Sequence, residues 1–197
     1  MPIYNRIADF HEDLVATRRD IHAHPELGFE EHRTSDLVAQ QLESWGIEVH
    51  RNIATTGVVG VLKGSGNSKR SIGLRADMDA LPMDEEGNPE HRSKNAGKMH
   101  ACGHDGHTTM LLGAARYLAE TKNFDGTVHF IFQPAEEGGG GGRVMVEEGL
   151  FDKFECDTVW GMHNSPNLPA GTLAIRPGPL MAAVDMAKIT INAQGCH

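Results

Sequence analysis

The stretch Thr127-Val-His-Phe-Ile-Phe-Gln-Pro-Ala-Glu-Glu-Gly138 decides the fold class. Residues 127–132 form an apolar run of strand length, rich in aromatic and β-branched side chains. Before it, Met110, Leu111, Ala114, Ala115 and Leu118 recur at helical spacing; after it, Val144 to Leu150 reads as a short helix and Asp157-Thr-Val-Trp-Gly-Met162 as another strand. Strands that alternate with helices predict an α/β protein of helix, sheet and helix layers, its sheet mixed but largely parallel and covered on both faces.

Working outward, two amphipathic helices open the chain. One carries Ile7, Phe10, Leu14 and Ile21 and stops near His24-Pro25; the other carries Leu37, Val38, Leu42 and Trp45 and closes at Gly46. The runs Gly57 to Lys63 and Ser71 to Asp77 read as strands, and the Gly-Ser-Gly-Asn-Ser-Lys between them as a hairpin loop. Near the end, Asp185-Met-Ala-Lys-Ile-Thr-Ile-Asn-Ala-Gln194 alternates like a fresh strand. The expected division is a catalytic domain over 1–183 and the start of a lid or dimerisation domain of α+β type over 184–197.

Charge and cysteine usage narrow the function. A formal net charge of −9 with no Lys/Arg stripe argues against nucleic acid as a partner. Three cysteines, Cys102, Cys156 and Cys196, form no disulfide-rich pattern and fit a reducing compartment. No run approaches membrane-spanning length, and the first residues lack the apolar core of a signal peptide, so a cytoplasmic protein without a membrane partner is expected.

Three apolar strands end in residues able to bind metal or move protons: Arg75-Ala-Asp77, Pro134-Ala-Glu-Glu137 and Met162-His163. In open α/β sheets the crevice beyond the carboxyl ends of the strands binds ligands, so these groups are expected to meet there. The cluster His100-Ala-Cys-Gly-His-Asp-Gly-His107 is expected to join them, with Cys102 and His104 able to reach one metal region. Adjacent Glu136 and Glu137 diverge, so one can ligate while its neighbour faces the water being activated. His163 reads either as a core histidine or as a ligand at the end of a buried strand. Asp77 reads either as a turn cap or as the acceptor that fixes the tautomer of a ligating histidine. No Gly-x-Ser-x-Gly elbow and no phosphate-cradling loop is present.

The segments Leu74-Arg-Ala-Asp-Met-Asp-Ala-Leu-Pro82, Met99 to His107, Gln133-Pro-Ala-Glu-Glu-Gly138 and Gly161-Met-His163 together resemble the metal-dependent N-acyl-amino-acid amidohydrolases. That group includes hippurate hydrolases and plant indole-acetyl-amino-acid hydrolases, within the clan of two-metal exopeptidases. The resemblance implies two divalent ions (zinc or manganese, with cobalt or nickel admitted) held by Cys102, His104, Glu137 and His163. It further implies Glu136 as general base, Asp77 as orienter, and His197 as an oxyanion-stabilising histidine of the lid, contributed across a homodimer. The implied substrate is a small N-acyl amino acid of hippurate type. In this chain Arg75 stands where the wider clan has a histidine, and Gly195-Cys196-His197 where the family has Gly-Gly-His. The match is to the N-terminal half of such an enzyme. Alternatives that share these motifs are a metal-binding module without activity and a peptidase or deacylase of N-acyl-diamino acids.

Overall fold

The computed structural model describes residues 5–195. Two compact units divide the chain between Asn164 and Ser165.

In the first unit, α1 (Asn5–Asp9) and α2 (His11–Ala23) precede α3 (His32–Ser44), and the strands β1 (Glu48–Ile53), β2 (Gly57–Lys63) and β3 (Ser71–Asp77) follow. Then come α4 (His104–Thr121), β4 (Thr127–Gln133), α5 (Gly141–Glu147), α6 (Leu150–Lys153) and β5 (Thr158–Gly161). The apolar stripe that starts at Ile7 is therefore two helices, parted at Phe10, whose φ of −110° and ψ of 20° leave the helical region.

The five strands form one mixed sheet in the order β1-β2-β4-β3-β5. β2 runs antiparallel to β1 and β4, whereas β3 is parallel to both β4 and β5. Side-chain alternation divides the core between two faces. Val58, Phe130 and Phe132 pack with Val38 and Leu42 of α3 and Leu112 of α4. Val59 and Ile131 pack on the opposite face with Met145 of α5 and Leu150 and Phe154 at α6.

The structure revises the sequence reading at three points. β2 and β3 are not a hairpin, because β4 lies between them and hydrogen-bonds to both. The run Val128 to Phe132 is buried on both faces and takes the centre of the sheet. The loop after β2 instead docks at the foot of β4, where the Gly64 N–H donates to the Gly126 carbonyl at 2.9 Å. Second, β5 is an edge strand whose four residues are exposed, not a buried one. Third, β1 is a strand that apolar runs do not reveal: it is mostly polar and carries an irregularity between His50 and Ile53.

In the second unit the described residues contain neither helix nor strand, and the alternating segment from Asp185 to Gln194 is exposed. Alternation specifies a face, but a strand needs a ladder partner, and none pairs with it among the described residues.

Candidate metal centre

Because β3, β4 and β5 are mutually parallel, their carboxyl ends lie on one side of the sheet. The side chains that follow those ends meet the amino terminus of α4 there. α4 starts after Gly103, whose φ of +93° is left-handed backbone. A β-carbon on that residue would fall 2.5 Å from the Asn164 side-chain oxygen, so the start of the helix and the end of β5 come together only around a glycine. The Thr108 hydroxyl ties the helix to the end of β3 by donating to the Asp77 carbonyl at 2.9 Å.

His104, the first residue of α4, is fully buried. Its Nδ1 faces only acceptors, the Asp79 carbonyl at 2.8 Å and the Asp79 carboxylate at 3.2 Å, so it donates there. In the neutral ring, the form that binds a metal, that leaves Nε2 with a lone pair. Around Nε2 stand Asp77 Oδ2 at 3.6 Å, Glu137 Oε1 at 3.7 Å and Glu136 Oε2 at 3.8 Å, all beyond hydrogen-bond length. Buried His104 Nε2 and Glu137 Oε1 have no hydrogen-bond partner.

Cys102 and His163 close the ring, with Sγ 3.3 Å from Nε2, while His163 Nδ1 donates to the Asn164 carbonyl at 2.7 Å. Burial, reinforced by Glu137 and Glu136, pushes the Cys102 thiol up to about 12, so without a cation it stays protonated. Among the described residues, His104 belongs to three trios whose ligand atoms lie within 4.8 Å of one another: with Cys102 and His163, with Glu136 and Glu137, and with Asp77 and His107.

A sulfur, imidazole nitrogens and carboxylate oxygens turned toward one another repel when empty-handed and attract when they share a cation. Unpartnered buried lone pairs cost free energy that a divalent ion recovers. The residues present therefore fit a divalent metal, and the mixed donor set suits zinc or manganese better than calcium.

The two glutamates differ in environment. The Glu136 side chain is 43% exposed and that of Glu137 is 21% exposed, so Glu137 is sunk beside His104 and Glu136 faces the opening. Their turn is held by the Glu137 N–H, which donates to Asp79 Oδ2 at 2.9 Å.

Asp77 is buried and pinned on both oxygens. His107 Nδ1 donates to one at 2.6 Å, and Arg75 donates to the other at 2.7 Å. Burial alone would raise its pKa, but His107 and Arg75 outweigh that and hold the carboxyl down at about 2. The acceptor for the second N–H of His104 is Asp79, while Asp77 takes the N–H of His107. Neither Asp79 nor Asn164 stood out in the sequence, although Asp79 lies in the Asp-Met-Asp string that continues β3. His107, given only a flanking place by its position in the cluster, is buried and receives the Asn164 backbone N–H on Nε2 at 3.0 Å. His100 is buried with both ring nitrogens unpartnered, and burial pushes it down to about 4. Asp105 points away from the centre and accepts from His22 at 2.9 Å and Arg18 at 3.0 Å. His197 and Cys196 lie outside the described residues.

Comparison with known proteins agrees with this geometry. Over 197 residues the chain is 50% identical to hippurate hydrolase of Campylobacter jejuni, covering all of this chain and 51% of that protein. It is 47% identical over 190 residues to an IAA-amino acid hydrolase of Arabidopsis thaliana, covering 96% of this chain and 42% of that protein. Among solved structures, a dinuclear metal-binding peptidase of the M20 family from Bacillus subtilis superposes with a TM-score of 0.83 at 43% identity. The superposition covers 88% of this chain and 48% of that one, so the chain spans about half the length of the relatives it matches. Residues 73–195, which include β3, the start of α4 and the Glu136-Glu137 turn, match peptidase family M20/M25/M40, and the chain belongs to that family.

Proposed function

We propose that the complete protein is a metal-dependent hydrolase that cleaves the amide bond of small N-acyl amino acids. One observation carries this: two buried, unpartnered ligand atoms, His104 Nε2 and Glu137 Oε1, face each other among further thiol, imidazole and carboxylate groups, with the more exposed carboxylate of Glu136 at the rim. The activities by which the hippurate and IAA-amino acid hydrolases are named, both on acylated amino acids, support the substrate class.

Cys102, His104, Glu137 and His163 would hold the metal, two divalent ions of zinc or manganese, with cobalt or nickel admitted. When bound there, the ions supply Lewis acidity to the scissile carbonyl and to the attacking water. Asp79 keeps the proton on His104 Nδ1 so that Nε2 stays a donor of its lone pair. Asp77, held ionised by Arg75 and His107, adds fixed negative charge beside the same nitrogen. Glu136 takes a proton from the water as its oxygen adds to the carbonyl carbon, then delivers that proton to the amide nitrogen as the carbon–nitrogen bond breaks. Residues 1–183 would form this catalytic part and 184–197 the start of a lid through which two copies pair, His197 serving the oxyanion.

The test is Glu136→Gln in the complete protein. Hydrolysis of benzoylglycine is expected to fall by about 10²- to 10⁴-fold, the range for a general base, with metal content unchanged. Turnover near that of the parent would contradict the assignment.

A further inference from the structure

Ala135 turns the chain out of β4 at a φ of +49°, a left-handed conformation that costs an alanine free energy and persists only where its surroundings impose it. Without this turn Glu136 and Glu137 would continue along the strand and not approach His104. The side chain that meets this turn is Glu31, at the amino-terminal cap position of α3.

 Glu31 belongs to no strand end and no histidine cluster; its fully buried side chain makes no capping hydrogen bond to α3.

We infer that Glu31 is a positioning residue for the Glu136-Glu137 turn. The inference rests on the proposed roles of Glu136 as base and Glu137 as ligand. Glu31 Oε1 accepts the Ala135 backbone N–H at 2.8 Å, at the residue whose backbone is left-handed. Its other oxygen accepts the Thr56 hydroxyl at 2.5 Å, which anchors the carboxylate from the β1–β2 connection. A buried carboxylate is costly unless every oxygen is satisfied, and here one donor comes from the catalytic turn itself. The turn is also enclosed by glycines. A β-carbon on Gly28 would lie 2.9 Å from the Ala135 β-carbon, and one on Gly139 would lie 2.6 Å from it. The Gly141 N–H donates to the Ala135 carbonyl at 3.0 Å, so both polar backbone groups of Ala135 are held, one by Glu31 and one by the start of α5. Removing the carboxylate frees the N–H of Ala135, the non-glycine residue of this turn that must stay left-handed.

The test uses the complete protein, stripped with chelator and titrated with manganese, alongside the rate of benzoylglycine hydrolysis and the unfolding midpoint. Glu31→Ala is expected to weaken metal binding by about 10- to 100-fold, as loss of a ligand's supporting partner does, and to lower kcat at least about tenfold. Glu31→Gln keeps an acceptor for Ala135 and is expected to restore both to within about threefold. Thr56→Val removes the anchor but not the Ala135 contact; it is expected to lower the midpoint while affinity and kcat stay within about threefold. Should Glu31→Ala not fold, Glu31→Asp, which withdraws the acceptor by one methylene, is expected to show the same metal loss. A lower midpoint with unchanged affinity and kcat in the Ala or Asp variant overturns the inference, as does a Gln variant as impaired as the Ala variant. Glu136→Gln in the same assay separates the two levels: if it keeps turnover, the base assignment fails, while the metal titration still judges Glu31.

Discussion

At the residue scale, His104 and its neighbours show how one side chain acquires a role from partners that no local spacing announces. Cys102, His104, Glu137 and His163 are legible because thiol, imidazole and carboxylate at strand ends and beside a glycine are chemically conspicuous. Asp79, His107, Asn164 and Glu31 are not, because an acceptor's importance depends on which donor the tertiary fold sets against it. His22 illustrates a residue behind the centre. The hydrogen bond to Asp105, backed by Glu85, raises its pKa above 6.5 in spite of burial. A histidine that binds its proton more tightly when folded adds stability that is fully present below its unfolded pKa of about 6.5 and lost as pH rises through the higher folded value. In the metal-stripped protein, urea unfolding is therefore expected to show stability declining with pH above about 6.5, a slope that His22→Gln flattens. An unchanged slope in that variant would show that the His22 and Asp105 pair is not its source.

At the scale of elements, the start of α4 is the joint on which the centre depends. Gly103→Ala places a β-carbon at a φ of +93° and against the Asn164 side chain, which itself contacts His107. The expected cost is about 1 to 3 kcal/mol in urea unfolding, together with weaker metal binding, because Asn164 follows His163 directly. A cost below about 0.5 kcal/mol would mean that the joint relaxes freely. The same elements mark how far a pattern of residues reaches. β4 was legible as a strand because it is apolar throughout, and the parallel grouping of β3, β4 and β5 follows from the helices between them. The pairing of β2 was not legible, since a Gly/Ser/Asn loop signals a change of direction but does not name the strand that fills the gap. β1 was missed for the complementary reason: an edge strand such as Glu48–Ile53 can be largely polar and still pair, its register with β2 running from Glu48↔Val61 to His50↔Val59 before the irregularity. β5 was legible as a strand but not as an edge, because composition reports apolarity and not what lies alongside.

At the scale of the whole molecule, the formal net charge is −9, and no helix among the described residues is long and apolar enough to cross a membrane. The central claim is that the groups around His104 hold divalent metal for amide hydrolysis. The most direct measurement is the number of metal ions per chain in the complete protein and in its His104→Ala variant, read by elemental mass spectrometry beside benzoylglycine hydrolysis before and after chelation. About two ions per parent chain are predicted, in keeping with a two-metal site, with at least one lost in the variant and hydrolysis abolished by chelation and restored by zinc or manganese. A parent protein that holds no metal, or a variant that holds as much as the parent, or hydrolysis that survives complete chelation, would contradict it.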